Sequence, residues 1–314
     1  MKVLARLVGV AIAVIALSLL AGQNMERIVV KKPFGQHKTG GGGNDQILYH
    51  GGKILTGRVP IYVIYYGGIG SFPSTTQPIV NSFLAGLGGT PQFEVNQTYC
   101  NVNTTTCPDG GTSVSGKLSY DLGHIYYDSG SQGNALKSSD IRKIVESALT
   151  GPGHLPTDDS AVYIVITAPT TKASGFCTSY CAYHTASTTI VSGHTIHYAL
   201  APEPNSKCTA CDGNFAMGES KTPNDDPGAD EIVDALMHEI SETVTDPDIS
   251  AWYTTSGAEN GDLCNFVYST ANMANTFSSP TTGATANASW GGYSYLIQFI
   301  WKNGPVPQGC AAAP

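Results

Sequence analysis

The strongest chemical signal in this chain is a histidine and a glutamate one helical turn apart. The run from Asp230 to Asp248 reads Asp-Glu-Ile-Val-Asp-Ala-Leu-Met-His-Glu-Ile-Ser-Glu-Thr-Val-Thr-Asp-Pro-Asp, which sets His238, Glu239 and Glu242 in an HExxE pattern. Residues four apart on an α-helix share a face, so an imidazole at 238 and a carboxylate at 242 can reach one ion. HExxH helices hold zinc in this way; here glutamate replaces the second histidine, and Glu239 falls at the general-base position. Zinc then needs a third protein ligand. Asp246, Asp248 and Asp262 lie downstream and His184, His194 and His197 upstream, and no offset chooses among them. Asp248 stands ten residues after His238, where longer motifs of this type place their last ligand, but Thr245 occupies the position of their turn-forming glycine. Asp246 is equally placed to cap the helix end ahead of Pro247. A helical His238–Glu242 hydrogen bond, with Glu239 in solvent, would use the same residues with no metal.

Rival chemistries find less support. Gly67-Gly68-Ile69-Gly70 follows a strand-like run but lacks the spaced glycines and acidic partner of a dinucleotide site, and no G-x-S-x-G elbow is present. Asp158-Asp159 and Asp225-Asp226 read as loop charges. Tyr62, Tyr65, Tyr66, Trp252, Tyr253, Trp290 and Trp301 can line a glycan cleft, although buried strands use the same residues. With 16 basic against 24 acidic residues and a net charge of −8, there is no basic stripe for nucleic acid. The partners expected are an extracellular polypeptide or a cell-wall polysaccharide.

The compartment follows from the N-terminus. Lys2 and Arg6 precede the apolar run Val8 to Leu20 and the small residues Ala21 and Gly22, the pattern of a signal peptide over 1–22, with no membrane anchor after cleavage. Residues 23–46, with Pro33 and four consecutive glycines from Gly40, read as a flexible linker, and 47–314 as one globular domain. Cys100, Cys107, Cys177, Cys181, Cys208, Cys211, Cys264 and Cys310 all lie in the exported part, where disulfides are the default. Short spacing suggests Cys100–Cys107, Cys177–Cys181 and Cys208–Cys211, and elimination leaves Cys264–Cys310. The pair at 208 and 211 can alternatively serve a thiolate metal site or a redox centre. Asn96, Asn103 and Asn287 begin Asn-x-Ser/Thr sites that would make this a glycoprotein in a eukaryote.

The elements that must position the HExxE helix follow from periodicity. Gly57 to Tyr66 and Ala161 to Ile166 are dense β-branched and aromatic runs, the mark of strands covered on both faces. Helices are expected over 79–87, 138–149 and 229–245, and one or two strands over 114–127. Residues 177–189 read as a pinned loop or hairpin, 197–200 as an edge strand, and 295–301 as a terminal strand. The alternation predicts an α/β (α+β) domain with a mixed, mostly parallel sheet, packed helices and disulfide-pinned loops. A sheet followed by a helix bearing His-Glu is also the layout of zincin metalloproteases, so a zincin-like domain is expected by analogy of architecture.

Several landmarks resemble one family. Tyr49-His50-Gly51-Gly52, Leu55-Thr56-Gly57-Arg58-Val59 and Ile64-Tyr65-Tyr66-Gly67 resemble the opening of EXORDIUM / phosphate-induced protein 1 (PHI-1) proteins. So do Gly175-Phe176-Cys177-Thr178-Ser179-Tyr180-Cys181-Ala182-Tyr183-His184, the pair Cys208 and Cys211, Thr245-Asp246-Pro247 leading to Ala251-Trp252-Tyr253, Gly261-Asp262-Leu263-Cys264, and Gln298-Phe299-Ile300-Trp301. The resemblance implies an extracellular or cell-wall-associated protein linked in plants to growth, with no established enzymatic activity. It also implies a difference: plant members generally lack histidine where His238 stands and carry asparagine where Asp246 stands. Two functions are therefore expected as alternatives. One is a zinc-dependent metallohydrolase of peptidase type, with His238 and Glu242 as ligands and Glu239 as base. The other is a non-catalytic growth or cell-wall factor without metal.

Overall fold

The computed structural model describes residues 27–35, 46–102, 107, 111–204, 208–269, 276–304 and 308–314. The expected signal peptide lies outside them. Seven strands form the main sheet: β1 (Val29–Lys31), β2 (Arg58–Tyr66), β3 (Lys117–Ser119), β4 (Ile125–Asp128), β5 (Val162–Thr167), β6 (Ala182–Ser187) and β7 (Ile196–Pro202). They are ordered β1-β6-β7-β5-β2, and β2 pairs β3 along its first residues and β4 along its last. From β7 onward all pairings are parallel, while β6 and β1 run antiparallel at the opposite edge. The result is a mixed α/β architecture.

Parallel strands need helical crossovers, and these cover both faces of the sheet. Helices α1 (Thr76–Leu87) and α3 (Pro227–Thr245) take one face and α2 (Ser138–Thr150) the other. The alternation of β2 shows the division: Val59, Ile61, Val63 and Tyr65 point to the α1/α3 core, and Tyr62, Ile64 and Tyr66 to the α2 core. Both faces are buried, which is why the run carries no polar alternation. Under α3 the sheet presents the small side chains Ala182, Ala199 and Ala201, which let the helix sit close. α2 begins where the Asp140 carboxylate accepts from the Lys137 backbone amide at 3.0 Å, so its N-cap is Lys137 and the serines that follow lie inside the helix.

Some segments differ from expectation. Val29–Lys31, within the segment read as a linker, is paired through β6 and ends in Lys31, a buried lysine. Its short length and basic surroundings hide it in the sequence, because its stabilisation comes from partners far along the chain. The cysteine-rich stretch after 177 leads into β6, and the segment expected as an edge strand, 197–200, lies inside the sheet between β6 and β5. The expected terminal strand divides into Tyr293–Tyr295 and Ile300–Lys302, which pair with Ala288–Trp290 and Gly309–Ala311.

The cysteine pairing is corrected as well. Cys177 bonds Cys208 and Cys181 bonds Cys211, so two segments about 30 residues apart lie side by side and exchange bridges. The expected Cys177–Cys181 and Cys208–Cys211 pairs are thus replaced, and with them the free-thiol metal or redox reading. No S–S bond joins Cys100 to Cys107. Only the Cys264–Cys310 bridge matches the expected pairing. Proximity along the chain does not bring the Cβ atoms to the separation a disulfide needs. Asn96 and Asn287 are buried; the Asn96 amide donates to Phe93 O and Ser241 Oγ, so neither is open to a glycan in the folded protein, and Asn103 lies outside the described residues.

Cys264–Cys310 closes a separation of 46 residues and fixes the C-terminal strand against the turn Asp262–Cys264. Replacing both cysteines by alanine is expected to cost about 2–4 kcal/mol, read as a lower midpoint in chemical unfolding.

Candidate metal centre

The helix that carries the motif is covered on every side. It starts where the Asp226 carboxylate accepts from the Ala229 amide at 3.1 Å with Pro227 in the first turn, and it stops ahead of Pro247. Every residue from Gly228 to Thr245 is buried. Ile232, Val233, Leu236, Ile240 and Val244 meet the sheet core, as the periodicity requires. The polar face, which an ordinary amphipathic helix would give to water, lies beneath β1 and the chain from Ala251 to Trp301.

Two donor sets overlap on this face. His238 Nε2 stands 3.0 Å from Glu242 Oε1 and 3.9 Å from Asp262 Oδ1. From β6, His184 Nδ1 stands 3.2 Å from Glu239 Oε2 and 3.4 Å from Glu242 Oε2, and its Nε2 lies 3.7 Å from Glu259 Oε2. Each set, His238/Glu242/Asp262 and His184/Glu239/Glu242, brings three ligand atoms within 4.8 Å of one another, and Glu242 belongs to both. Ligand atoms around a tetrahedral zinc ion with bonds of ~2.0–2.1 Å stand about 3.3 Å apart, a value the observed distances bracket. Nε2 of both histidines, Glu239 Oε1 and both Glu259 oxygens are buried without a hydrogen bond. His238 Nε2 and Glu242 Oε1 are therefore close but not aligned as donor and acceptor.

Charge sharpens the point. Four carboxyls, those of Glu239, Glu242, Glu259 and Asp262, face two imidazoles, so full ionisation of the cluster would leave two carboxylates without counter-charge even with both imidazoles protonated. Burial disfavours the imidazolium of His238, but Glu242 and Glu239 outweigh it and push the group up to about 9. Burial likewise opposes ionisation of Glu242, yet the two histidines hold it down to about 2. Asp262 is pushed up to about 7 by burial and by Glu242; Glu239 and Glu259 are raised, first by burial.

A second layer orients the first. His238 Nδ1 faces Gln298 Oε1 at 3.1 Å, and Gln298 Nε2 donates to Gly261 O at 2.8 Å. The Gln298 amide donates to Asp234 Oδ1 at 2.7 Å, and Asp234 Oδ2 pairs with Lys31 Nζ at 3.0 Å. A bond at Nδ1 of this kind directs Nε2 toward the acidic cluster. Asp262 is held by its own amide, which donates to Glu242 Oε1 at 2.9 Å.

The other sequence candidates are placed differently. Asp246 caps α3, with Oδ1 accepting from the amides of Ser250 and Ala251 at 2.5 and 2.6 Å. Asp248 pairs with His197 Nε2 at 2.8 Å and so is brought into neither donor set. His194 pairs with Asp159 at 2.7 Å on a half-exposed surface. Glu239 faces His184 and not solvent. Glu259 was not visible in advance, because nothing in Gly257-Ala258-Glu259-Asn260-Gly261 marks a turn that returns to a helix 17 residues upstream.

A mixed sheet and the helix packed on it thus bring His184 of β6 and His238 of α3 together among buried carboxylates. The chain belongs to the phosphate-induced protein 1 family: the profile of the phosphate-induced protein 1 conserved region matches residues 47–312. It is 26% identical over 279 residues to Protein EXORDIUM-like 3 of Arabidopsis thaliana, covering 82% of this chain and 81% of that one. It is also 27% identical over 278 residues to Protein EXORDIUM-like 5 of the same plant (82% and 75% covered) and 26% identical over 280 residues to Protein PHOSPHATE-INDUCED 1 of Nicotiana tabacum (82% and 86%). No solved structure matches the chain.

Lys31→Met should leave Asp234 buried without its cation and lower stability by about 3–5 kcal/mol in urea unfolding. A Cβ at Gly261 would stand 2.9 Å from Glu242 Oε1 and 3.0 Å from His238 Nδ1. Gly261→Ala is therefore expected to displace that pair, read as a shifted His238 imidazole resonance in NMR.

Proposed function

We propose that this chain is a secreted metalloprotein in which His238, Glu242 and Asp262 hold a divalent cation, zinc by preference, in a zincin-like arrangement, with Glu239 as base for hydrolysis of a polypeptide. The observation that carries this reading is the buried surplus of acidic oxygen around imidazole nitrogens that lack hydrogen bonds. A dication would meet that surplus with donors zinc accepts. Bound zinc supplies an acidified water and polarises a carbonyl. Glu239 Oε1, free of hydrogen bonds, is the acceptor for the proton, and His184 holds the other oxygen. His238 is oriented by Gln298 and Asp262 by the turn that precedes Cys264. Asp246 keeps the helix end in place, and Asp248 takes no part. Export is supported by the apolar run Val8 to Leu20 and by three disulfides.

One observation favours a second reading. His238, Glu239 and Glu242 are 0% exposed, and a hydrolytic centre has to admit its substrate. A closed centre would make the protein a non-catalytic extracellular or cell-wall factor whose cation, if any, locks α3 to the C-terminal segment. Elemental analysis of the purified chain separates the cases. The proposal expects one zinc per chain, lost in His238→Ala, and cleavage of a denatured protein substrate that falls by about 100-fold or more in Glu239→Gln with zinc retained. Zinc without cleavage leaves the closed centre. No metal in either protein ends the metal reading.

A further inference from the structure

A second concave site lies away from the metal-centre cluster, at the N-terminal end of the same helix. Its cavity of about 610 Å³ is bounded by the chain leaving β7 at Glu203 and Pro204, by Pro169 beyond β5, by Pro73 ahead of α1, by the loop from Cys208 to Asp226, and by the first turns of α3 to Glu231. The C-terminal ends of parallel strands are where such α/β sheets open crevices. The Cys177–Cys208 bridge ties one wall to the sheet.

Five carboxyls line the cavity, and the described lining holds no lysine, arginine or histidine. Three of the five have structural duties. Asp226 caps α3 through Ala229 and accepts from Thr75; Asp212 accepts from the Phe215 amide at 3.0 Å; Glu219 accepts from Asn214 and from Thr285. The other two do not use all their oxygens. Glu203 receives Thr76 Oγ1 on Oε1 at 3.0 Å and leaves Oε2 without a hydrogen bond, and Glu231 Oε2 is likewise without one. These residues are only 3% and 4% exposed. Lys31, whose charge acts on Glu231 through space, is committed by contact to Asp234, Asn265 and Gln298. Burial raises both acids above the usual carboxylate range, Glu203 to about 8, and at Glu231 the charge of Lys31 opposes burial without overcoming it.

We propose that this cavity binds an organic cation, an ammonium or amidinium-type group on an apolar stem, with Glu203 Oε2 and Glu231 Oε2 receiving the charge and Pro73, Pro169, Pro204 and Phe215 packing the stem. The volume falls within the range of small-molecule sites and is far larger than a bare ion requires. A planar amidinium or guanidinium offers parallel N–H donors suited to carboxylates, and the surrounding proline rings are rigid apolar walls. A lysine or arginine side chain of an extracellular polypeptide, and a free amine, present this same chemistry.

Benzamidine, an amidinium on an aromatic stem, is a direct probe, with the neutral benzamide as its isostere. In calorimetric titration of the full mature chain, benzamidine is expected to bind with benzamide at least tenfold weaker. Glu231→Gln and Glu203→Gln should each weaken benzamidine roughly tenfold or more while leaving benzamide unchanged, since a charge-assisted bond is lost in each. Both substitutions keep the side-chain shape and remove a buried carboxyl with an idle oxygen, so the variants should unfold no earlier than the parent. Absence of benzamidine binding up to about 10 mM, equal affinity for the two probes, or unchanged affinity in the folded variants would overturn the proposal. Calcium chloride binding in place of benzamidine, and lost in Glu231→Gln, would assign the cavity to a metal ion and overturn it equally. n-Butylamine against an Nα-acetyl-lysine amide, which carry the same ammonium on a four-carbon stem, then distinguishes a free amine compound from a polypeptide side chain as the natural source.

Discussion

A helix that carries charge on one face and is denied water on all faces constrains everything else in this protein. α3 is the longest helix among the described residues, and Asp230, Glu231, Asp234, His238, Glu239 and Glu242 are all buried within it. Burying ionisable groups is costly unless each finds a partner of opposite charge or a hydrogen bond. The fold answers this residue by residue. Asp230 receives the amide and side chain of Asn224, Asp234 takes Lys31 and the amide of Gln298, and His238 leans on Gln298. The partners come from the first strand, from the loop just ahead of the helix and from the C-terminal segment, so the sheet alone could not house this helix.

Where partners run out, the helix suggests function. Glu239, Glu242, Glu259 and Asp262 exceed the positive charge that His184 and His238 can offer, and each of Glu203 and Glu231 keeps a buried oxygen without a hydrogen bond. The two shortages differ in shape. The first is tight, lined by histidine and carboxylate at ligand spacing, and suits an ion. The second opens into a cavity walled by prolines and suits an organic cation. Both lie along one helix, with Glu231 two turns ahead of His238, and Asp234, the partner of Lys31, sits between them in sequence.

The disulfides serve the same arrangement. Cys177–Cys208 and Cys181–Cys211 join the entry to β6, which carries His184, to the loop that walls the cavity. Cys264–Cys310 secures the turn that supplies Asp262. Loops that place charged groups against a buried helix would otherwise have to order themselves against charge repulsion, and covalent closure reduces the freedom they would lose.

Local chemistry was legible in the residues themselves: the HExxE spacing, the doubly buried strands at 58–66 and 162–167, the mixed and mostly parallel sheet, the helices, and the family landmarks from Tyr49 to Trp301. These depend on periods of two and 3.6 residues, which any stretch of chain displays by itself. Tertiary structure alone decided that Glu242 and Glu259 both meet His184, that Asp262 and not Asp248 turns toward His238, that Val29–Lys31 is a strand, and that four cysteines pair crosswise. Each of those facts joins residues many positions apart, and a separation along the chain carries no information about distance until the backbone between them has taken its path.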